Sequence, residues 1–423
     1  MNDQPKLAVI GQGYVGLPLA LRAADVGFDV VGYDVDKSKI SSLTAAKSYV
    51  DDVTDADLRR ALAGDCFHAT DASIDLAGFD VAVIAVPTPL REGIPDVSYI
   101  EDAARVVGRH LEPGALVVLE STTFPGTTEE VVGPILEDES GLTAGGDFLL
   151  GYSPERIDPG NQVWDFQRTP KVVSGVDDRS LEAVRAFYDR LVAATVPVSG
   201  TAEAELTKLL ENTFRHVNIA LGNELAVHAR SLDIDIWEVI DAAGTKPFGF
   251  MPFYPGPGVG GHCLPIDPTF LSWRFERQLG TVSRFVKIAN EINESMPDYV
   301  VRRVQAGLNE RLRPVKQSRI LVLGVAYKKN SNDARETPAT EVIRGLLDLG
   351  ADVAVHDRHV ADYELDESID RIADLTVDEI EAADVVILLT DHDDVDYELA
   401  LDHADYIFDA RRRLPAGPTV ELL

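Results

Sequence analysis

Two doubly wound α/β domains joined by a central helical domain form the architecture that the sequence predicts, and three observations predict it. Apolar strand-type runs alternate with helical patterns from Lys6 onward, the alternation gives way near Gly200 to long helical periodicity, and it restarts at Arg319. The expected domain limits are 1–199, 200–314 and 315–423. A chain of 423 residues also exceeds a single ordinary core, in keeping with such a division.

Lys6–Ile10 is a short apolar run that enters Gly11-Gln-Gly-Tyr14-Val15-Gly16, and Leu17–Ala24 then carries a helical pattern up to a stop at Gly27. Asp29–Tyr33 reads as a second strand ending at Asp34, with Val81–Val86, Ala115–Leu119 and Phe148–Leu150 as later buried strands. Strands separated by helices call for a mostly parallel sheet. Ala202–Arg230 reads as one long helix, Pro247–Pro268 is rich in Pro and Gly, and more helix follows to about Leu312. RILVLGVAY from Arg319, a helix from about Thr337 to Leu349, and strands at Asp352–His356, Val385–Leu389 and Tyr406–Phe408 make the second α/β domain. No repeat of about 20 to 50 residues is visible.

Composition narrows the function classes. The formal net charge of -32, from 71 acidic against 39 basic residues, repels nucleic acid and anionic lipid over most of the surface. The scattered acids read as a solvated face and point to adaptation to high salt. No apolar run approaches the ~18 residues of a membrane span, and no cleavable leader is evident before Lys6, so a soluble cytoplasmic protein is expected. Cys66 and Cys263 are too few for a disulfide framework or a cysteine zinc site, and no metal is expected.

Gly11, Gly13 and Gly16 match the G-x-G-x-x-G fingerprint of a Rossmann-like domain: a tight turn, close approach of pyrophosphate to backbone N–H groups, and helix-to-strand packing. Glycines alone could serve only a strand–helix turn. Here the motif follows a strand and opens a helix, and Asp34 closes the second strand, where a carboxylate accepts from the adenosine ribose and disfavours a 2′-phosphate. NAD is the expected cofactor. Val86-Pro-Thr88-Pro and Glu120-Ser-Thr-Thr123-Phe-Pro lie at strand C-termini, where ligands of such sheets bind, although each could be a plain turn.

Pro255-Gly-Pro-Gly-Val-Gly-Gly-His-Cys263 sets a lone cysteine in a glycine-rich loop able to wrap a ligand, just before Leu264-Pro-Ile-Asp267. If a helical turn begins there, its dipole lowers the thiol pKa and Asp267 lies one turn on. A structural cysteine is the alternative, and it suffices for Cys66. On the long helix Lys208, Asn212 and Arg215 share one face, while Leu206, Leu209, Leu210, Phe214 and Val217 are expected to cover the packing side. That polar stripe is either a solvated face or a set of donors.

At these residues the sequence resembles the UDP-glucose/GDP-mannose dehydrogenase family over essentially the whole chain. GQGYVGLPLA, ESTTFPGTTEE, SPERIDPGN, AELTKLLENTFRHVNIALGNELA, GPGVGGHCLPIDP, GVAYKKNSNDARETPA and IFDARR carry the resemblance, in this order. It implies two successive NAD-dependent oxidations at one site: alcohol to aldehyde, capture as a thiohemiacetal, a second hydride loss to a thioester, and hydrolysis. By motif matching it makes Cys263 the nucleophile and Lys208 and Asn212 the groups that stabilise the oxyanion. Asp267 and Thr123 then position water or move protons, and Glu155 assists hydrolysis. On the cofactor it implies Gly11, Gly13, Tyr14, Val15, Gly16, Asp34, Lys39, Thr88, Thr123 and Arg335.

The resemblance puts the UDP-sugar against Glu155, Arg156, Lys208, Asn212, Arg215, Phe253, Tyr254, Gly258, Lys328 and Arg411. As bare sequence, Lys328 and Arg411 read as surface charges. Asn212-Thr-Phe-Arg215 resembles the branch acting on N-acetylated sugars, with Arg215 on the acetamido carbonyl, and UDP-N-acetylglucosamine is favoured over UDP-N-acetylmannosamine and UDP-glucose. Pro159 departs from the UDP-glucose pattern, which has an acid there, so no carboxylate role transfers. A homodimer is implied by resemblance only. The rival readings are a single-step dehydrogenase of the 6-phosphogluconate type, which needs no cysteine and lacks the second α/β domain, and a non-enzymatic NAD-sensing scaffold, which predicts loss of Cys263 or Lys208.

Overall fold

The computed structural model describes all residues except 1–3, 51, 92, 158–160, 162, 262, 263, 265, 361, 362 and 364–368. Packing divides the chain into two compact units, Met1–Glu211 with Thr269–Thr281, and Asn212–Pro268 with Val282–Leu423.

In the first unit β1 (Lys6–Ile10), α1 (Gly16–Asp25), β2 (Asp29–Tyr33), α2 (Lys37–Thr44), α3 (Asp55–Ala63), β3 (Phe67–Thr70) and β4 (Val81–Ile84) follow in turn. A hairpin of β5 (Leu90–Arg91) and β6 (Ile94–Pro95) precedes α4 (Ser98–Gly108), β7 (Leu116–Leu119), α5 (Gly133–Ser140), β8 (Leu149–Tyr152), β9 (Lys171–Gly175), α6 (Asp178–Tyr188) and β10 (Thr195–Pro197). The main sheet runs β10-β9-β8-β7-β4-β1-β2-β3 and is parallel except where β8 meets β9. From β3 to β8 this is the doubly wound order 3-2-1-4-5-6, which opens a crevice outside β1 and β4 where the order reverses.

The sheet is covered on both faces, as a mainly parallel sheet must be. Side chains alternate along β1: Leu7 and Val9 join one core with Val30, Val83 and Val118, while Ala8 and Ile10 join the other with Val31, Ala82 and Ile84. Local chemistry sets the helix ends. Thr54 and Asp57 form a reciprocal capping box at the start of α3, and Asp177 caps α6.

The long helix α7 (Thr201–Ser231) gives its first part to the first unit and the remainder to the second. The second unit continues through α8 (Ile236–Gly244), the start of α9 (Asp267–Leu279), α10 (Arg284–Glu310), β11 (Arg319–Leu323), α11 (Pro338–Asp348), β12 (Asp352–His356), β13 (Asp370–Arg371), α12 (Val377–Glu381), β14 (Val385–Leu388), α13 (Tyr397–His403), β15 (Ile407–Asp409) and β16 (Val420–Leu422). Its parallel sheet, β13-β12-β11-β14-β15-β16, repeats the same winding order. The likeness extends to atoms. Gly11, at φ 95, would bring a Cβ to 2.4 Å from the Ala85 carbonyl oxygen; Gly324, at φ 82, would bring one to 2.3 Å from that of Thr390.

The expected elements are present, with ends differing by a few residues. The sequence reading passed over β3, the β5–β6 hairpin, β9, β10, β13 and β16. Each is five residues or shorter, and a polar or Pro residue interrupts several of them: His68 in β3, Lys171 in β9, Pro197 in β10. One expectation is corrected. Leu209 is fully buried, but Leu206, Leu210 and Phe214, expected on the packing side of α7, are exposed at 39%, 62% and 48%. With Leu221 and Leu225 they form a separate stripe at steps of four and seven residues. The helix carries two apolar faces, and one is largely uncovered among the described residues. No helix among the described residues is long and apolar enough to cross a membrane.

Candidate functional site

The turn from β1 to α1 is shaped to receive a dinucleotide. Gly11 donates its N–H to the Tyr33 carbonyl at 2.8 Å, and a Cβ on Gly16 would meet the Gly11 carbonyl oxygen at 1.9 Å. A Cβ on Gly13 would instead meet nothing within 4 Å. Two glycines are thus demanded by packing and the third keeps the backbone open to a ligand. Helix α1 starts after Val15 with no side-chain cap and no acid in its first turn, so its N–H groups and positive end remain available to a pyrophosphate. Tyr14 is exposed at the rim.

Asp34 is buried just past β2. One carboxylate oxygen accepts from the Gln12 N–H at 2.9 Å and from Lys39 Nζ at 3.0 Å; the other accepts from the Asp36 N–H at 2.9 Å. The carboxylate therefore fastens the glycine turn to the end of β2, with Lys39 beside it. Across the crevice, the Ser121 hydroxyl accepts from the Val86 N–H and donates to the Val86 carbonyl, tying together the two strand ends. Thr88 is buried. Thr123 is fully enclosed, its hydroxyl 2.6 Å from that of Thr127, whereas Thr122 beside it is half-exposed.

A buried charged cluster lies in the same unit. Lys171 Nζ, on β9, donates to Glu155 at 3.0 Å and contacts Glu120 at the end of β7. The other Glu155 oxygen accepts from the N–H groups of Arg156 and Ile157 at 2.5 and 2.6 Å. Burial pushes the Glu120 carboxyl up to about 7. For Glu155 burial acts the same way, but the Lys171 charge and hydrogen bond outweigh it and hold the group below the usual carboxylate range. Lys171 is raised: the two carboxylates overcome its own burial. The Arg156 side chain turns away from this cluster to Glu211, at 2.6 and 3.3 Å, and to the Pro170 carbonyl.

On α7, Lys208 is buried yet makes no hydrogen bond or ion pair among the described residues. Glu205, one turn earlier, accepts from the Gly126 N–H and from the Thr128 N–H and hydroxyl, anchoring the loop that carries Thr123. Burial raises the Glu205 carboxyl to about 7.

In the second unit, Asn212 donates to Asp267 at 2.5 Å, and Asp267 is buried. The helix considered at Cys263 opens at Asp267, four positions later. Cys263 itself lies outside the described residues. Arg215 is exposed beside Asn212. Phe253 packs edge-on against Phe214, and Tyr254 stacks on Trp237 and donates to Asp241 at 2.7 Å. The following loop is held by Asn223, which accepts from the Gly256 N–H at 2.9 Å, and lies close to Arg411. Gly258 takes φ 135 against Pro338, and Lys328 is half-buried. Arg335 makes a two-pronged pair with Asp333 at 2.9 and 2.6 Å.

Sequence reasoning missed Lys171, Glu205 and the polar chain His216, Asn290, Asn293 and Asn223, which runs from α10 across α7 to Gly256. A lysine opening the apolar run KVVSG was the available signal for the first of these, because a lone charge in a buried strand requires a partner.

Models of the UDP-glucose/GDP-mannose dehydrogenase family match three stretches: its NAD binding domain over residues 5–192, its central domain over 202–295 and its UDP binding domain over 321–416. UDP-N-acetyl-D-mannosamine dehydrogenase of Pyrococcus horikoshii is 34% identical over 388 residues, covering 92% of this chain and 89% of that protein. UDP-N-acetyl-D-glucosamine 6-dehydrogenase of Pseudomonas aeruginosa is 37% identical over 358 residues, covering 84% and 83%. Among solved structures, the UDP-D-ManNAc dehydrogenase of Pyrococcus horikoshii superposes with a TM-score of 0.90 at 33% identity, covering 99% of this chain and 98% of that one. The chain belongs to the UDP-glucose/GDP-mannose dehydrogenase family and is an NAD-dependent dehydrogenase of nucleotide-linked sugars.

Proposed function

We propose that the protein oxidises the C6 hydroxyl of UDP-N-acetyl-D-glucosamine to the carboxylate, reducing two NAD per sugar through a thioester on Cys263. The observation that carries the reading is Lys208, buried one turn before Asn212 on α7 with no hydrogen bond or ion pair among the described residues, because a buried ammonium calls for an anion to bond and an oxyanion formed at C6 is one. NAD, when bound, would supply the hydride acceptor for both oxidations. Gly11, Gly13, Tyr14, Val15, Gly16, Asp34, Lys39, Thr88, Thr123 and Arg335 hold it in this reading. Lys208 and Asn212 steady the oxyanion, Asp267 orients water, and Glu155 takes the water proton during hydrolysis. Arg156, Arg215, Phe253, Tyr254, Gly258, Lys328 and Arg411 bind the UDP-sugar, with Arg215 on the acetamido group.

The Pseudomonas aeruginosa enzyme at 37% identity supports the glucosamine epimer. A second reading, UDP-N-acetyl-D-mannosamine, is supported by the longer match to the Pyrococcus horikoshii enzyme. The two sugars differ at one stereocentre, C2, the carbon that carries the acetamido group. Comparing kcat/KM for the two sugars and UDP-glucose decides the substrate. With the preferred sugar, two NADH should form per sugar, and a ratio of one would sink the thioester. Cys263→Ser should retain NAD binding and lose turnover; an active variant excludes covalent catalysis. We also propose a homodimer joined along the uncovered apolar stripe of α7.

A further inference from the structure

The cluster around Lys171 is the feature that the proposed chemistry uses least fully. Glu120, Lys171 and Glu155 are exposed at 1%, 3% and 8%. The ammonium sits 5.6 Å from the centre of the Phe166 ring and 5.2 Å from that of Tyr188, so aromatic faces take the place of water around it. Two carboxylates against one ammonium leave an excess negative charge when all are ionised. Burial disfavours that state, and the inexpensive remedy is one proton shared by the pair.

The hydrogen bonds decide where the proton rests. Glu155 receives three donors, the N–H groups of Arg156 and Ile157 and the Lys171 ammonium, and each of them favours the anion. Among the described residues Glu120 receives only the ammonium as a hydrogen-bond donor, and its Oε2 is buried with no hydrogen bond. The proton belongs on Glu120. Two other titratable groups face the cluster. Tyr188 on α6 turns a buried hydroxyl toward Glu120 and Ser153 and is held protonated by burial and by Glu120, and Lys208 on α7 adds positive charge near Glu155.

We propose that Glu120 is the proton store behind Glu155 and that Lys171 is the ammonium bridge between them, both acting as positioning residues for thioester hydrolysis. This rests on the reading of Glu155 given above. Water adds to the acyl carbon as one of its protons passes to Glu155; the carbon–oxygen bond forms, the carbon–sulfur bond breaks, and Cys263 leaves as thiolate. From the form in which Glu120 is ionised, Lys171 gives a proton to Glu120 and takes the new one from Glu155, which is again an anion. The product acid protonates the thiolate, and the proton on Glu120 departs to solvent. The sum is thioester plus water giving carboxylate, thiol and one proton. Glu155 alone, anchored by three donors, is a weak base; backed by Glu120, it withdraws a proton at the affinity of the whole cluster.

The test follows the acyl adduct on Cys263 by intact mass after rapid mixing of the enzyme with NAD and UDP-N-acetylglucosamine, over a range of pH. Hydrolysis by the unaltered enzyme should accelerate as pH rises through about 7, where Glu120 loses its proton. Glu120→Gln, isosteric with the protonated acid, should leave the first NADH burst and NAD binding unchanged. It should slow hydrolysis roughly tenfold or more and move the acid limb below the usual carboxylate range. Lys171→Met should accumulate the adduct and Lys171→Arg should restore most of its hydrolysis. A Glu120→Gln enzyme with the unaltered rate and limb overturns the proposal, as does one in which all steps fall together with the limb unmoved. Failure of the underlying reading looks different: no adduct forms in any variant, or Glu155→Gln hydrolyses it normally.

Discussion

Single carboxylates do much of the fastening in both units, and two of them occupy equivalent places. Asp34 follows β2 and ties the glycine turn; Asp357 follows β12 and accepts from the Val325 and Ala326 N–H groups at 2.7 and 3.0 Å, and from His392 at 3.0 Å. Its other oxygen accepts from the N–H groups of His359 and Val360. Burial alone would raise the Asp357 carboxyl, but the His392 hydrogen bond and these amide donors hold it far below the usual carboxylate range. A folded-state pKa depressed in this way contributes stability that is complete above the unfolded value, near 4, and is lost as pH falls below it through the folded value. Asp357→Ala should therefore cost about 3–5 kcal/mol at neutral pH and lose most of that penalty in strong acid, as urea titrations at several pH values would reveal. An equal penalty at every pH would refute the assignment. At the matching position, Asp34→Ala should weaken NAD binding by roughly tenfold or more by freeing the Gln12 and Asp36 N–H groups and Lys39; calorimetric titration with NAD reads this directly.

Among the elements, α7 joins several functions. Over 31 residues it carries Glu205, which anchors the loop of Thr123, then Lys208, then Asn212 with its bond to Asp267, then His216 and Asn223, which lead to Gly256. Its uncovered stripe from Leu206 to Leu225 exposes large side chains that a solvated helix does not need. Leu210→Asp combined with Leu221→Asp should convert a dimer to a monomer in light-scattering measurements, while leaving the NAD turn intact. If the unaltered protein is already monomeric, the stripe has another purpose and the dimer reading fails.

Across the whole molecule, the net charge of -32 works against compactness by self-repulsion. Added salt screens exposed charges over about 10 Å at 0.1 M and less at higher concentration. The melting temperature should therefore rise steadily with KCl into the molar range, and a flat or falling curve would remove the case for adaptation to salt. The sheets of the two units follow one winding order although the sequence shows no repeat, because winding depends on strand direction and crossover handedness, which many sequences satisfy.

What the sequence determined by itself was local or periodic. The strand, glycine turn and helix from Lys6 to Asp25, the carboxylate at Asp34, the long helix, and the second run of strands from Arg319 are all legible because 2.0- and 3.6-residue periods and turn chemistry act over neighbouring residues. The tertiary structure decided whatever depends on residues distant in the chain. Lys171 meets Glu120, 51 positions earlier, only because β7, β8 and β9 lie side by side, with β9 reversed against β8. Leu206 and Leu209 are both apolar and three residues apart, yet one is exposed and the other fully enclosed, since burial is set by what packs against a helix and not by the helix's own pattern.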